Sequence, residues 1–451
     1  MARAAIILAA GMGTRMQSST PKVLHKVGGR SMLEWTCDLA NNLGCEKTVI
    51  VVGPQYPQVG EAASALVGES NVCIQQDQLG TADAVKAAIP AMTGFTGDAI
   101  VLYADTPLIP SEVASGAFDA ISEGASIVVL GFHAAIPGGY GRLVLGKDGS
   151  LDRIVEAKDA NPEELAVTFC NSGVMAGPWP LMAELLGEVM NDNAKGEYYL
   201  TDLVALARGR GLKAHAAPCD EEHVLGVNSR VQLAEAEAVF QKRRRNELLE
   251  AGVGMIAPET VFFSHDTQIA NDVEIEPNVV FGPGVTVESG AQIRAFSHLE
   301  GAVVSGGAQI GPYARLRPGA QIGNDVRVGN FVEVKNVKMG KGAKANHLSY
   351  LGDGQVGAGA NIGAGTIFCN YDGFFKYQTV IGEGAFVGSN SALVAPVTIG
   401  EGAMIGSGSV ITSDVKPGDL AVGRSRQTSK EGWALSFRTI MKARKAARAK
   451  G

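Results

Sequence analysis

The chain lacks paired cysteine motifs. Its six cysteines (Cys37, Cys45, Cys73, Cys170, Cys219 and Cys369) are scattered without a CxxC spacing. That argues against a zinc site or a disulfide framework. Reduced thiols and a cytoplasmic location are the simplest expectation. There is no run of 18 apolar residues, so no membrane-spanning helix is expected. Arg3 followed by Ala4–Ala10 is short and leads into Gly11-Met12-Gly13-Thr14-Arg15, not into a small-residue cleavage site, so it is taken as a strand and not a signal peptide. Positive charge is also scarce. The net charge of -7 gives no nucleic-acid-like basic character, except in a tail holding Arg438, Lys442, Arg444, Lys445, Arg448 and Lys450. The run Lys242–Arg245 reads as a solvated helix face.

What is abundant is glycine, 58 of 451 residues, against a usual share of about 7%. Much of the excess accompanies a period of six. Ile269, Ile275, Phe281, Val287, Ile293 and Leu299 form one run; Val304, Ile310, Leu316, Ile322, Val328 and Val334 a second, one residue out of phase; Ile381, Val387, Leu393, Ile399, Ile405 and Ile411 a third. A period of six fits neither a lone helix nor a lone strand. It fits short strands that turn a corner every six residues and stack into a prism, with glycine at corners that need positive φ. Exposed ridges on such a prism can pack against copies of itself in closed symmetry. The period fails twice, around Lys341–Asp353 and Cys369–Tyr377, and loops on a rigid scaffold are where function is expected. Taken alone, a loop histidine such as His347 in the first break is more often structural or solvated than a base. Arg317 and Lys335 fit the exterior of a prism as well as an anion site.

Residues 1–227 alternate apolar strands (Ala4–Ala10, Thr48–Val52, Val72–Gln75, Ala99–Tyr103, Ile127–Phe132) with helical stretches such as Met32–Leu43 and Thr81–Ile89. That predicts an α/β domain with a mostly parallel sheet covered on both faces, and ligands beyond the carboxyl ends of its strands. A helix over Val231–Leu249 joins the halves, giving domains 1–227 and 251–451 with a linker at 228–250. The turn Leu8-Ala9-Ala10-Gly11-Met12-Gly13-Thr14-Arg15-Met16 follows the first strand. It has neither the Gly-Lys-Ser/Thr ending of a Walker A loop nor a third glycine, and a tight structural turn fits it as well as a phosphate site. Arg15 and Lys22 place two cations near it, which suits a polyphosphate. Asp105 follows the strand Ala99–Tyr103, where a turn aspartate and a metal ligand fit equally.

The order of Leu8–Met16, Pro21-Lys22, Gln75–Ala82, Tyr103–Leu108, Gly139–Arg142, Ile154–Asp159, Asn171-Ser172-Gly173 and Gly196–Asp202 resembles the sugar-phosphate nucleotidyltransferases. With the hexapeptide array behind it, the chain from 4 to about 436 is similar to a bifunctional bacterial family, N-acetylglucosamine-1-phosphate uridyltransferase joined to glucosamine-1-phosphate N-acetyltransferase. The resemblance implies a Rossmann-like N-terminal domain and a left-handed parallel β-helix that assembles a homotrimer. It implies UTP, acetyl-CoA, glucosamine 1-phosphate and N-acetylglucosamine 1-phosphate as substrates, with no nucleic acid and no membrane partner. Asp105 and Asn228 would hold Mg²⁺ on the nucleotide phosphates, a suitable oxygen set for that ion. Gln75, Gly80 and Thr81 would meet the uracil end; Gly141, Glu156 and Asn171 the N-acetyl sugar; Leu8, Gly11, Gly13 and Tyr103 complete the nucleotide set, with Arg15 and Lys22 catalytic.

In the array the resemblance makes His347 a general base, Arg317 and Lys335 phosphate binders, and Tyr350 and Asn361 sugar-binding positions. It makes Ala364, Asn370, Tyr371, Ser389, Ser407 and Arg424 acetyl-CoA positions. The chain departs from the family at Ala104, where glycine is frequent, at Ala82-Asp83, where glycine-histidine is frequent, and at Ser407, where alanine is frequent. Asp83 lies early in a helix, where a carboxylate suits the dipole. The segment Arg424–Trp433 resembles a tail that closes over the coenzyme, and 434–451 are expected to form a frayed or disordered helix end. The alternative is a single-activity nucleotidyltransferase whose array is purely structural.

Overall fold

The computed structural model describes residues 1–449 and divides into two compact units: Met1–Glu250 with Phe262–Asp266, and Ala251–Val261 with the chain from Thr267 onward.

The first unit has strands β1 (Arg3–Ala9), β2 (Lys26–Val27), β3 (Arg30–Ser31), β4 (Lys47–Val52), β5 (Val72–Ile74), β6 (Asp98–Tyr103), β7 (Ile127–His133), β8 (Arg142–Leu145), β9 (Leu151–Val155), β10 (Phe169–Pro178) and β11 (Ala214–Cys219). Its helices are α1 (Met32–Asn42), α2 (Pro57–Val67), α3 (Thr81–Ala87), α4 (Ser111–Ser122), α5 (Pro162–Leu165), α6 (Trp179–Leu186), α7 (Asp202–Gly209) and α8 (Arg230–Glu250). The main sheet runs β11-β7-β10-β6-β1-β4-β5, parallel except where β10 opposes β6 and β7. Alternation along β1 explains the two covered faces. Ala5, Ile7 and Ala9 enter one core with Leu33, Val59 and Phe118, while Ala4, Ile6 and Leu8 enter the other with Val85, Met182 and Leu203.

The expected strands and helices are present, with ends shifted by a residue or two. The strand β10 carries a bulge between Asn171 and Met175, so its Asn-Ser-Gly sequence mimics a turn inside a strand. The segment expected to join the halves is the helix α8. It packs with the first unit, where Ala236 and Phe240 are buried with Met16, Val27, Met32 and Leu108.

The second unit is a stack of short parallel strands. Glu274 pairs with Gln292, Gln292 with Gln309, and Gln309 with Arg327, and parallel ladders on the other faces carry the same step. The period-six residues point inward, so Ile275, Ile293, Ile310 and Val328 are all buried. Not every corner is glycine. Phe296, Tyr313 and Phe331 take positive φ of 61°, 57° and 56°. Their exposed rings stack at 4.9 and 5.2 Å between centroids, an attraction that offsets part of the left-handed strain.

The two expected breaks differ. Around His347 the coil is unbroken: Arg327 pairs with Lys344, Asn330 with His347 and Glu333 with Tyr350. The period only looks lost because small Ala345 fills the interior position, fully buried. His347 therefore ends a strand, Lys344–His347, and is not in a loop insertion. The second break is real. Val356 pairs with Ile381 and Ile367 with Ala392, 25 residues on, so the extra residues after Cys369 stand off the prism as a loop. Beyond the prism Trp433–Arg448 is a helix, α9, with no buried side chain; Lys450 and Gly451, the last residues of the segment expected to fray, lie outside the described residues. All six cysteines are free thiols, and no described helix is long and apolar enough to cross a membrane.

Candidate active sites

In the first unit, Leu8 pairs with Tyr103, so the chain leaves β1 and β6 at the same edge of the sheet. The glycine turn and Asp105 thus emerge side by side. Gly13 has φ 59°, and a Cβ there would stand 2.6 Å from the Lys22 Cβ. Glycine is what lets Lys22 lie across the turn. The Lys22 ammonium donates to Asp105 Oδ2 at 2.5 Å and to Asn228 Oδ1 at 3.2 Å. Both oxygens therefore already converge on one cation, and an all-oxygen pair of this kind fits a hard divalent ion as well as an ammonium. Arg15 is exposed and pairs with no acid among the described residues.

A cavity of about 340 Å³ runs from this cluster along Leu8, Gly11, Gln75, Gly80, Thr81 and Tyr103. Its far wall is fixed by Gly80, whose φ is 119° and whose Cβ, if present, would lie 2.5 Å from the Tyr198 carbonyl. Gln75 is buried and donates to the Gly80 carbonyl at 2.9 Å and to Asp83 at 2.8 Å. Gln78 donates to the Ala10 carbonyl at 2.5 Å, tying this wall to the glycine turn.

A second polar group adjoins Tyr103. A Cβ on Gly141 would stand 3.5 Å from Glu156 Oε1 and 3.6 Å from the Asn171 Cβ, so these three surround one small space. Asn171 lies on the β10 bulge; its Oδ1 accepts from the Gly173 N–H at 2.9 Å and its own N–H donates to the Gly141 carbonyl at 2.8 Å. Burial pushes the Glu156 carboxyl above its ordinary range, Lys195 opposes this, and Asp159 and Asp202 add to it. Burial, then the Asp105 and Glu156 carboxylates, raise the Tyr103 phenol, which keeps that wall neutral.

In the second unit the coil register assembles a cationic cluster. Arg317 donates to Glu333 at 2.8 Å, and Lys335 to both Asp353 oxygens at 3.0 and 3.1 Å. Burial would raise the Asp353 carboxyl, but hydrogen bonds from Asn336, Lys335 and Asn370 outweigh it and hold it below its ordinary range. Tyr350 stands over Gly352, where any Cβ would overlap its hydroxyl and the Asn370 amide. The loop after Cys369 brings Lys376 beside Lys335, and the neighbouring ammonium lowers the Lys376 amine. Arg317, Lys335 and Lys376 thus face one another across carboxylates that do not neutralise them all. Lys376 was not singled out in the sequence; only the bridge between Tyr371 and Lys376 turns it back.

His347 lies on the neighbouring face, at a cavity of about 320 Å³ walled by Arg294, Gln309, Arg327 and Asn330. Its Nδ1 is 2.7 Å from Asn330 Oδ1. An amide oxygen only accepts, so this contact calls for a proton on Nδ1, and in the neutral ring that leaves Nε2 as the acceptor. Asn361 begins the next strand of the same ladder. Further along, Ile362 pairs with Val387 and Val387 with Ile405. Ala364, Ser389 and Ser407 each follow two residues later, so they stack in one column. Arg424 reaches its end, with Cδ 3.9 Å from where a Gly408 Cβ would stand. Asn370 is buried on Asp353, whereas Tyr371 is exposed, its hydroxyl donating to the Gly373 carbonyl at 2.5 Å.

Comparison with known proteins separates the same two parts. Residues 5–172 match the MobA-like NTP transferase domain, and residues 301–336 and 378–413 match the bacterial transferase hexapeptide (six repeats). The chain is 59% identical over 444 residues to the bifunctional protein GlmU of Maricaulis maris, covering 98% of each. It is 59% identical over 443 residues to that of Caulobacter vibrioides, covering 98% of this chain and 96% of the relative. With that of Ruegeria sp. it shares 55% over 451 residues, the full length of both. This chain belongs to the bifunctional GlmU family, whose members carry a nucleotidyltransferase domain and a hexapeptide-repeat acetyltransferase domain on one polypeptide.

Proposed function

We propose that the two sites make UDP-N-acetylglucosamine in two steps. In the second unit, acetyl passes from acetyl-CoA to the amine of glucosamine 1-phosphate. In the first unit, UMP passes from UTP to the resulting N-acetylglucosamine 1-phosphate, and pyrophosphate leaves. The observation that carries this reading is the convergence of Asp105 and Asn228 oxygens on the Lys22 ammonium, at the shared edge of β1 and β6.

For the uridylyl step, Asp105 and Asn228 would hold Mg²⁺, and Lys22 would then move from their oxygens to the nucleotide phosphates. The bound ion would neutralise phosphate charge as it develops in the displacement. Lys22 and exposed Arg15 stabilise the departing pyrophosphate. Gln75, Gly80 and Thr81 meet the uracil, with Leu8, Gly11 and Gly13 along the nucleotide. Gly141, Glu156 and Asn171 hold the N-acetyl sugar. No protein base is required, because the attacking phosphate is already ionised.

For the acetyl step, Arg317 and Lys335 bind the sugar phosphate, helped by Lys376, with Tyr350 and Asn361 on the sugar. Nε2 of His347 takes the proton released as the amine attacks the thioester. The column of Ala364, Ser389 and Ser407, with Asn370, Tyr371 and Arg424, receives acetyl-CoA. The cationic cluster and His347 lie on different faces of one prism, and Tyr371, Arg424 and α9 are exposed. This supports completion of the acetyl site by neighbouring copies in a homotrimer, and the free cysteine thiols fit an enzyme at work in the cytoplasm.

Both activities of wild type, Asp105→Ala and His347→Ala test the division. Each substitution is expected to remove one activity and spare the other. A single substitution that removes both would overturn it.

A further inference from the structure

Asp83 is the third residue of α3, and its carboxylate does more than face a helix dipole. Its Oδ2 accepts from Gln75 Nε2 at 2.8 Å and from the Leu79 N–H at 3.2 Å. Gln75 Nε2 also donates to the Gly80 carbonyl at 2.9 Å. A primary amide has two N–H groups, and here both are taken by groups that only accept. The orientation of the amide is therefore decided by chemistry: a flipped Gln75 would set its own oxygen against a carboxylate and a carbonyl. What remains is Oε1. It takes no protein donor among the described residues, and it is not among the buried atoms left without a partner, although Gln75 itself is 5% exposed and lines the nucleotide cavity.

We propose that Asp83 determines base choice. By holding the Gln75 nitrogen it leaves a lone acceptor toward the nucleobase. That acceptor fits the N3–H of a pyrimidine dione such as uracil. Cytosine presents a lone pair at N3, so two acceptors would meet and both would stay unpaired, a costly arrangement in a closed site. Asp83 is a positioning residue that acts through Gln75. The proposal rests on the reading that Gln75 meets the base, and it goes beyond that reading by naming what orients Gln75 and which base edge is selected.

The test uses the full chain with Mg²⁺ and N-acetylglucosamine 1-phosphate, following pyrophosphate release from UTP and from CTP. The readout is the UTP/CTP ratio of kcat/KM. Asp83→Leu removes the acceptor at similar size, and it is expected to lower the ratio by on the order of tenfold or more, about what one hydrogen bond decides. The change should lie in KM, rising for UTP and falling for CTP, with kcat little moved. Asp83→Asn still offers a carbonyl oxygen and should keep the ratio near wild type. If Asp83→Leu does not fold, Asp83→Ser, whose hydroxyl is too short to hold the amide, serves the same comparison. Gln75→Ala separates the two ways to fail. A ratio unmoved in Gln75→Ala overturns the base-site reading. A ratio that collapses in Gln75→Ala but holds in Asp83→Leu or Asp83→Ser overturns the role of Asp83, as does an equal loss with both nucleotides.

Discussion

The two units build their sites by different arithmetic. In the first, Lys22 meets Asp105 and Asn228 across 83 and 206 residues of chain. In the second, Arg317 meets Glu333 across 16 residues, His347 meets Asn330 across 17, and Lys335 meets Asp353 across 18. A doubly wound sheet gathers distant segments at its carboxyl edge, because each strand ends there before its crossover. A prism brings back the residue one coil away, whatever it is. The first architecture can collect any set of groups but needs the whole sheet to do so. The second is confined to neighbours one coil apart, unless an insertion such as the loop carrying Lys376 breaks the step.

The largest expected effects would break this comparison outright. His347→Ala should lower acetyl transfer by about a thousandfold, and Asp105→Ala should lower uridylyl transfer by a similar factor, each sparing the other activity. Separate assays with purified intermediate measure both. A cross-effect above about twofold would mean the sites are not independent.

Asp353→Ala comes next. It leaves Lys335 and the Asn370 amide without their buried partner. Urea unfolding of the second unit should lose about 2 kcal/mol at neutral pH. The Asp353 carboxyl is held below its ordinary range, so its contribution is present above that range and is lost as pH falls through its folded value. The gap between wild type and variant should therefore close in acid. A gap that stays constant with pH would show that packing, not charge, is what Asp353 supplies.

Asn330→Ala should be milder. It frees the His347 ring to take either tautomer and is expected to lower acetyl-transfer kcat by about tenfold, with the sugar-phosphate KM nearly unchanged. A change in KM alone would place Asn330 in binding instead.

The smallest effect has the opposite sign. The Glu156 carboxyl is raised, so the folded state holds its proton longer than the unfolded chain. Wild-type stability then falls as pH climbs from the ordinary carboxylate range to the raised value. Glu156→Gln should lack that fall and be more stable at neutral pH, within about 1 kcal/mol, while binding N-acetylglucosamine 1-phosphate less well. Calorimetry across that range, compared with Asp353→Ala, would show opposite slopes in the two units.

Much of the second unit was legible in the sequence, since inward apolar residues repeat along the chain itself. Where legibility failed there, the cause was side-chain size: Ala345 keeps the coil but is too small to mark it, so an unbroken stretch around His347 read as a break. In the first unit the motifs marked which residues matter, yet the bulge at Asn171 hid inside a turn-like Asn-Ser-Gly. Asp83 looked like a helix-dipole carboxylate until its bond to Gln75 was seen.

By itself, the sequence determined the strand periods, the two-part organisation and the residue types at each site, because these follow from local alternation and from spacing along one chain. Only the tertiary structure decided which groups meet: the shared cation position of Asp105 and Asn228, the locked amide of Gln75, the contact of His347 Nδ1 with Asn330 and the return of Lys376 to Lys335. Hydrogen bonds depend on distances of a few tenths of an ångström between segments far apart in the chain, and no periodicity along the sequence carries that information.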